Sequence, residues 1–590
     1  MDQRDIVGAT PLNLNLETIS MLRDGDEEGL ARLLADLHRG GVAGLFSVEV
    51  DASFVNPTKN ILYVDQGGMG LPTRDYYFGE SEHDKHIQDE YQVHASNLFQ
   101  LADHPKFQDV DVARVYEIEK SLAEHAMTPT ERRNPYALYN IYTEDELAEL
   151  APDFKWQVYF EQLGVTDLGT MDVVEPFFVG NMSNLVKEQE EDYQGLRDYL
   201  ALRTIAAASS WLSTGFVEEV YRWSKTLSGA EQPPNERICL GRVNSILGEL
   251  LGRYYVNEVF DETSKKISLD MIERIENAFV ANLGNVEWMD EETAELAVQK
   301  MRKITNKIGY PDKWRSYGKL VVNEGDFYGT HSSYIEMMFQ EEIQEINKPV
   351  DKSKWFMNPQ TVNAYYNPMG NEIVFPAAIL QPTFFERRYP ISLNWGGIGM
   401  VMGHELSHGF DDQGRQFNGD GELVQWWSDE AIANFDDAAQ CVVDLYGSYT
   451  LELDGEEYSI NGELTLGENI ADLGGIGFAY SAYKKLQKTL EEEAKGKRED
   501  EDPVKWPYYP EKDIQKVFGY SSDQLFYLSF AQNWCSVVRE DRAIQLISID
   551  PHSPTQYRVL GPMSQTPEFA EAFSCPASTP MNPDSRCKVW

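Results

Sequence analysis

The amino-acid sequence predicts a mainly helical protein with a small β component, folded as two lobes. The chain has 590 residues, which is too long for a single hydrophobic core. Of these residues 42% are hydrophobic and 12% aromatic, which indicates at least two well-packed globular units. Apolar residues recur at three- and four-residue spacing through the first three hundred positions, whereas short β-branched runs follow residue 360. We therefore predict a helical lobe over 1–305, a connecting region over 306–360 and a second lobe over 361–590.

The helical periodicity of the first lobe is clearest in four segments. They are Glu17 to Leu37, Val112 to His125, Tyr193 to Ser224 and Glu287 to Lys303. The connecting region starts near Lys307-Ile308-Gly309-Tyr310-Pro311, where glycine and proline interrupt the helical pattern.

A β-hairpin is predicted at the start of the second lobe. Its strands are Thr361 to Tyr366 and Glu372 to Phe375, with a longer turn at 367–370. The first strand could be an edge that pairs with an extended peptide, helped by the amide of Asn363, or an ordinary hairpin strand, which periodicity alone favours. Further on, the charged run Glu491 to Asp502 is predicted to be an exposed loop.

Residues 404–408 read HELSH, a pattern typical of zinc peptidases. On a helix, His404 and His408 lie on one face one turn apart, so both imidazoles can bind one small cation. Glu405 is rotated by about 100° around the helix and can reach a water molecule on the open coordination position. The pentapeptide therefore predicts a zinc site together with its catalytic base.

A second segment, GENIAD at 467–472, supplies what the first one lacks. Glu468 is the predicted third zinc ligand, and Asp472 shares its helix face and can accept the free N–H of a zinc-bound histidine. The alternative is a core helix in which two histidines are merely hydrogen-bonded, and the second segment makes that alternative much weaker.

Near the C-terminus, His552 stands in a proline-bounded turn and Arg558 follows six residues later. A histidine held near zinc can donate to the oxyanion of a tetrahedral intermediate, and an arginine can hold a substrate carbonyl or carboxylate. Spacing alone does not place either residue near the metal, so both roles stay open at this point.

The chain carries 51 basic and 97 acidic residues, a net charge of −46. This charge disfavours nucleic acid and anionic membranes as partners, and it indicates a well-solvated surface more than attraction of cationic peptides. No stretch is apolar enough for a membrane span, and the first residues do not form a signal peptide. The five cysteines contain no CxxC pair, so cysteine ligation of zinc is not indicated.

Taken together, the motifs resemble the neprilysin and endothelin-converting-enzyme family of zinc endopeptidases. The resemblance rests on VNAYYNP, NEIVFPAAILQPTFF, GGIGMVMGHELSHGFDDQGRQFNGDGEL, GENIADLGG, AQNWC, DPHSP and CPASTPMNPDSRCKVW. Upstream, GGMGLPTRDYYF, CLGRVNSILGELLGRYYVNEVF and WMDEETAELAVQKMRKITNKIGYPDKW are similar to that family as well, so nearly the whole chain is covered.

The resemblance implies a thermolysin-like zincin lobe over 361–590, with a helical lobe that encloses the active site. It implies one Zn²⁺ per chain and hydrolysis of small peptides, on the amino side of bulky hydrophobic residues, by Glu-assisted attack of zinc-bound water. The implied roles are zinc ligation for His404, His408 and Glu468, general base for Glu405, and orientation of a zinc-bound histidine for the carboxylate of Asp472. They are transition-state stabilisation for His552 and substrate binding for Asn363, Ala364, Arg558, Phe384, Met400, Val401 and Trp534.

The resemblance also bears on the cysteines and on location. It implies a disulfide between Cys441 and Cys587, whereas the family partners of Cys239, Cys535 and Cys575 precede the region where this chain begins. We therefore expect a fragment of a secreted or membrane-anchored parent with an extracellular catalytic domain, or else a natural short form with three free thiols. Two other expectations remain, namely a catalytically silent peptide-binding protein and a chain made inactive by the missing stretch.

Overall fold

The computed structural model describes residues 2–284, 286–495 and 519–590. Within these ranges the chain is mainly helical, and its short strands form three small sheets. The helices are α1 Asp2–Val7, α2 Asn13–Ser20, α3 Glu27–Arg39, α4 Asp75–Phe78, α5 Glu82–Ala102, α6 Val112–Glu124, α7 Glu144–Leu150, α8 Trp156–Leu163, α9 Pro176–Glu188, α10 Gln194–Ser209, α11 Thr214–Ser228, α12 Asn235–Val259, α13 Glu262–Leu283, α14 Glu291–Lys303, α15 Phe327–Ile343, α16 Ile391–Asn394, α17 Met400–His408, α18 Asp429–Gly447, α19 Leu466–Ala494, α20 Ser522–Asn533, α21 Glu540–Ile549, α22 Thr555–Gln565 and α23 Pro567–Phe573. The strands are β1 Phe46–Ser53, β2 Asn56–Gln66, β3 Ile141–Thr143, β4 Thr170–Val173, β5 Thr305–Gly309, β6 Tyr365–Asn367, β7 Glu372–Pro376, β8 Thr450–Leu453 and β9 Glu456–Ser459.

The chain folds into two compact units that are interleaved in sequence. The first unit contains residues 1–242, 316–350 and 539–545, and the second contains 243–315, 351–538 and 546–590. These units divide the chain differently from the predicted segments 1–305, 306–360 and 361–590. The physical reason is that the apolar faces of α13 and α14 pack into the core of the second unit, while α15 packs in the first.

The first unit is built on a four-stranded sheet with strand order β1-β2-β4-β3. Strands β1 and β2 are antiparallel, and β2 pairs with β4 in parallel. Its core includes an aromatic cluster in which Phe46 contacts Trp156 and Tyr159 at ring-centroid distances of 5.0 and 5.3 Å. This cluster buries the apolar face of α8 against the sheet.

The predicted helical segments of the first three hundred residues are helical, but two of them are interrupted. Segment Glu17 to Leu37 divides into α2 and α3, because Gly25 adopts a positive φ of 68° and Asp26 caps α3 by accepting the N–H of Gly29. Tyr193 to Ser224 likewise divides into α10 and α11, whereas Val112 to His125 is confirmed as α6.

The second unit contains the predicted hairpin. Strand β6 is antiparallel to β7, which pairs in parallel with β5, so the described sheet has the order β5-β7-β6. Residues 361–364 do not belong to the first strand, which is therefore shorter than predicted. The prediction of an exposed loop over 491–502 is wrong for residues 491–494, which form the end of α19. Residues 496–502 lie outside the described part of the chain.

The predicted disulfide between Cys441 and Cys587 is confirmed. It joins α18 to the C-terminal segment, where Val589 is buried and the indole N–H of Trp590 donates to the carbonyl of Ile470 at 3.2 Å. The bond therefore holds the chain end against α19. The other described cysteines, Cys239, Cys535 and Cys575, are free thiols.

Candidate metal centre and peptide cavity

Helix α17 carries the two histidines of the HELSH motif in a buried environment. His404 is 6% exposed, and the Nε2 atoms of His404 and His408 lie 3.0 Å apart. The i, i+4 spacing brings both rings to one side of the helix, as the sequence predicts. Glu405, on the neighbouring face, is also buried, and its carboxylate lies within 4.8 Å of an imidazole nitrogen of each histidine.

Two glycines allow α17 and α19 to cross in direct backbone contact. A Cβ atom at Gly403 would lie 2.8 Å from the carbonyl oxygen of Gly475, and one at Gly475 would lie 2.7 Å from the carbonyl oxygen of Met400. Real Cβ contacts are not this short, so any other residue would push the helices apart. The close crossing places the start of α19 beside the two histidines.

Glu468, at the start of α19, completes a set of converging ligand atoms. Its Oε2 lies 3.2 Å from His404 Nε2, and its Oε1 lies 3.6 Å from His408 Nε2. Neighbouring ligand atoms around tetrahedral zinc, with bonds of about 2.0–2.1 Å, are about 3.3 Å apart. Moreover, Glu468 Oε2 is buried and makes no well-aligned hydrogen bond to a described residue. The donor set therefore fits a zinc ion.

A buried ionic network lies behind His404. Asp472 Oδ1 lies 2.8 Å from His404 Nδ1, and both oxygens of Asp472 accept hydrogen bonds of 2.8 Å from Arg558. Burial by itself raises the pKa of Asp472, but Arg558 and His404 lower that pKa overall. Asp472 thereby holds the His404 ring in one orientation, with Nε2 directed at Glu468.

Two further carboxylates, which no sequence motif pointed to, orient histidines. Asp411 Oδ2 lies 2.7 Å from His408 Nδ1, and Asp550 Oδ1 lies 2.7 Å from His552 Nδ1. His552 Nε2 in turn lies 3.2 Å from Glu468 Oε2. The sequence did contain a signal for these two contacts. Asp411 lies three positions from His408 and Asp550 two positions from His552, and at such a spacing the acidic side chain can reach the ring nitrogen.

The proton affinities of the two glutamates in the centre diverge. Burial raises the pKa of Glu405, although the charges of His404 and His408 oppose that shift. For Glu468, burial also raises the pKa, but the charges of His408 and His552 outweigh it and hold that pKa well below its usual range. The two carboxylates therefore differ in proton affinity, and that of Glu405 is the higher.

The centre opens into a cavity of about 440 Å³ whose described lining belongs entirely to the second unit. With the exception of Asp472, which lies behind His404, every sequence-predicted site residue lines this cavity: Asn363, Ala364, Phe384, Met400, Val401, His404, Glu405, His408, Glu468, Trp534, His552 and Arg558. Asn363 is exposed and Ala364 is buried, and both precede β6 directly. Arg558 stacks on Trp534 with its guanidinium carbon 3.9 Å from the ring centroid.

Two histidines one turn apart, a converging carboxylate and a buried glutamate beside them define a metallopeptidase. Comparison with known proteins gives the same class, because residues 1–311 and residues 363–589 each match peptidase family M13. The chain belongs to this family. It is therefore a peptidase that acts on peptides, and the group of side chains around His404 and His408 fits a metal ion.

Individual relatives support the assignment over most of the chain. The endothelin-converting enzyme homolog of Locusta migratoria is 35% identical over 573 residues, which covers 94% of this chain and 75% of that protein. Neprilysin-3 of Drosophila melanogaster is 33% identical over 564 residues, covering 92% and 69% respectively. The neprilysin and endothelin-converting-enzyme resemblance is thereby confirmed.

Solved structures agree with the predicted two-lobed, mainly helical fold. The zinc metalloprotease of Mycobacterium tuberculosis, solved in complex with an inhibitor, has a TM-score of 0.89 at 31% identity, covering 100% of this chain and 87% of that chain. PepO from Lactobacillus rhamnosis shares the fold, with a TM-score of 0.83 at 21% identity, covering 98% and 87%. No described helix of this chain is long and apolar enough to cross a membrane.

Proposed function

We propose that this protein is a zinc endopeptidase that hydrolyses small peptides on the amino side of bulky hydrophobic residues. One observation carries the proposal, namely the convergence of His404 Nε2, His408 Nε2 and the Glu468 carboxylate at 3.0–3.6 Å, with Glu405 beside them at the cavity surface. These three side chains are the proposed ligands of one zinc ion per chain.

Zinc bound there supplies Lewis acidity, which lowers the pKa of water and polarises a carbonyl group. Glu405 takes a proton from the water that attacks the scissile carbonyl and passes it to the leaving nitrogen. The raised pKa of Glu405 suits both steps, since the group has to accept the proton and then release it. The products are a carboxylate and an amine, so the reaction consumes one water molecule.

His552 is the proposed donor to the oxyanion of the tetrahedral intermediate. Its side chain is 42% exposed and lines the cavity, and Asp550 lies 2.7 Å from Nδ1, which leaves Nε2 directed toward the metal centre. A donor fixed in advance stabilises the developing charge without reorganisation, which is worth about 3–4 kcal/mol in comparable oxyanion sites.

Substrate binding is assigned to both the polar and the apolar walls of the cavity. Asn363 and Ala364 precede the edge strand β6 and are proposed to contact the substrate backbone. The apolar part of the wall supports a preference for a bulky hydrophobic residue after the scissile bond. It consists of Phe384, Met400, Val401 and Trp534.

Arg558 has a double assignment. Its two hydrogen bonds to Asp472 make it part of the support of His404, while its position in the cavity lining supports a contact with a substrate carbonyl. The disulfide between Cys441 and Cys587 supports an extracellular location of the catalytic domain, because such bonds persist in oxidising compartments. Fractionation of cells that express the tagged gene would test that location, and a wholly cytosolic enzyme would contradict it.

The central test is mass spectrometry of mixed short peptides incubated with the protein, with and without a zinc chelator. We expect chelator-sensitive cuts before Phe, Leu or Ile. In the same assay, Glu405→Gln should retain stoichiometric zinc but lose about 10²–10⁴-fold in turnover. Glu463→Gln, an exposed glutamate just before α19, is the matched control and should behave as the wild type. Parental turnover by Glu405→Gln would show that the base is assigned wrongly.

A further inference from the structure

A buried lysine in the second unit has no part in the chemistry proposed above. Lys300, near the end of α14, is 1% exposed, and its ammonium donates to the carbonyl oxygens of Gly414 and Phe417 at 2.7 and 2.6 Å. Three aromatic rings surround the ammonium at 5.4–5.8 Å from their centroids, those of Tyr366, Phe410 and Trp426. Burial lowers the pKa of Lys300 to about 7, although the charge of Asp411 opposes this shift.

The carbonyls that accept from Lys300 belong to the turn that follows α17. In that turn, Asp411 Oδ1 accepts the backbone N–H groups of Gln413 and Gly414 at 2.9 and 2.6 Å. The other oxygen of Asp411 lies 2.7 Å from His408 Nδ1. Gly414 is thus held from two sides, since its N–H donates to Asp411 and its carbonyl accepts from Lys300.

The turn lies directly on the last residue of the metal helix. A Cβ atom at Gly414 would stand 1.8 Å from the carbonyl oxygen of His408, so the backbone at 414 is in contact with α17 itself. A shift of this turn would move Asp411, and with it the ring that Asp411 orients. Continuous hydrogen bonds therefore connect Lys300 through Gly414 and Asp411 to His408.

We propose that Lys300 is a positioning residue for the metal centre, which clamps the 411–417 turn so that Asp411 keeps His408 Nε2 directed at His404 and Glu468. This inference rests on the proposed zinc site. It explains why a polar amino group occupies an aromatic enclosure. An apolar side chain of similar length would fill that space without the desolvation cost, and replacing buried charges in this way is often neutral or stabilising for the fold.

The position of the lysine also limits what it can do. Its ammonium is directed at the turn and is enclosed by rings, so it has no route to a substrate and acts only through other residues. The backbone carbonyl of Lys300 is itself fixed, because Asn371 donates to it at 3.2 Å and also to the carbonyl of Gly419 at 3.1 Å. The clamp is therefore anchored at the helix as well as at the turn.

The test compares Lys300→Met with Lys303→Met. Lys303 lies one turn further on α14 and, within the described part of the chain, forms an exposed ion pair with Asp420, so its variant controls for loss of a lysine on this helix. We expect Lys300→Met to weaken zinc binding by about 10–100-fold in a chelator competition titration, the range found for residues that orient metal ligands. The absorption spectrum of the cobalt-substituted protein should change too, because it reports ligand geometry independently of turnover.

A double-mutant cycle with Asp411→Asn identifies the route of the effect. If Lys300 acts through Asp411, Lys300→Met should add little to the zinc affinity already lost in Asp411→Asn. Lys300→Gln, whose side-chain amide can still donate hydrogen bonds, replaces Lys300→Met if the latter does not fold, and it should lose less zinc affinity. Fully additive losses, or wild-type zinc affinity and cobalt spectrum in folded Lys300→Met, would overturn the proposal.

Failure of the proposed function gives a different result. If His404→Ala kept stoichiometric zinc and peptidase activity, the metal site itself would be assigned wrongly and this inference would fall with it. If His404→Ala loses zinc as expected while Lys300→Met matches Lys303→Met in zinc affinity, cobalt spectrum and thermal transition, only the positioning role of Lys300 is refuted.

Discussion

The crossing of α17 and α19 at two glycines makes Gly475→Ala the most informative single substitution. The new methyl carbon would lie 2.7 Å from the carbonyl oxygen of Met400 and 2.8 Å from the backbone nitrogen of His404. Both contacts are with backbone, which cannot rotate away as a flexible side chain can. The helices must therefore separate or tilt.

The required displacement follows from the distances. Ordinary contacts of a Cβ atom begin at 3.4 Å, so the closest approach has to open by about 0.7 Å. Metal–ligand distances tolerate only about 0.2 Å, and His404 and Glu468 are on opposite sides of the crossing. We expect zinc affinity to fall at least about tenfold, and overpacking to reduce the free energy of unfolding by about 1–3 kcal/mol.

The control is Gly477→Ala on the same helix. A Cβ atom there meets nothing within 4 Å, and alanine is the better helix former by about 1 kcal/mol, so this variant should be neutral or more stable. Zinc competition titration and thermal unfolding of the metal-free protein measure the two expected effects separately. If Gly475→Ala matched Gly477→Ala in both measurements, the argument that backbone contact sets the metal geometry would be refuted.

Two further predictions concern stability. Replacing both Cys441 and Cys587 by serine opens a loop whose ends are 146 residues apart, and chain-entropy arguments give a loss of about 5 kcal/mol in the free energy of unfolding. Urea unfolding of the second unit, followed by limited proteolysis as the readout, should detect this loss. An unchanged urea midpoint would contradict the expected magnitude. In the first unit, burial lowers the pKa of His38 to about 4, so the unfolded chain binds a proton below pH 6.5 that the folded chain does not. Stability should therefore fall by up to about 3 kcal/mol between pH 6.5 and 4, and the unfolding free energy of His38→Leu should depend less steeply on pH in that window than that of the wild type.

The central chemistry could be predicted from the sequence because it depends on local spacing. His404 and His408 are one helical turn apart, and Glu468 and Asp472 repeat that spacing, so each pair shares a face whatever the rest of the chain does. Placing the second pair beside the first is a tertiary fact, and it depends on Gly403 and Gly475, whose roles have no signature in either motif.

The remaining supports of the site come from contacts between distant parts of the chain. Lys300 lies 114 positions before Gly414, and nothing in the pattern of α14 distinguishes it from the exposed lysine at 303. Arg558 was expected at the substrate, and its pairing with Asp472 became evident only from the structure. The unit boundaries could not be predicted from the sequence for a similar reason. The pattern of an amphipathic helix such as α13 shows that one face is apolar, but it does not show which part of the protein covers that face.

The interleaving of the two units governs how this protein can be made. Synthesis proceeds from the N-terminus, yet the first unit includes residues 539–545, which emerge from the ribosome only after most of the second unit. The first unit therefore cannot be completed until residues 539–545 have been synthesised, and neither unit corresponds to a continuous stretch of coding sequence. An engineer who wants the metal centre alone would have to join three separate segments, with new linkers across each gap.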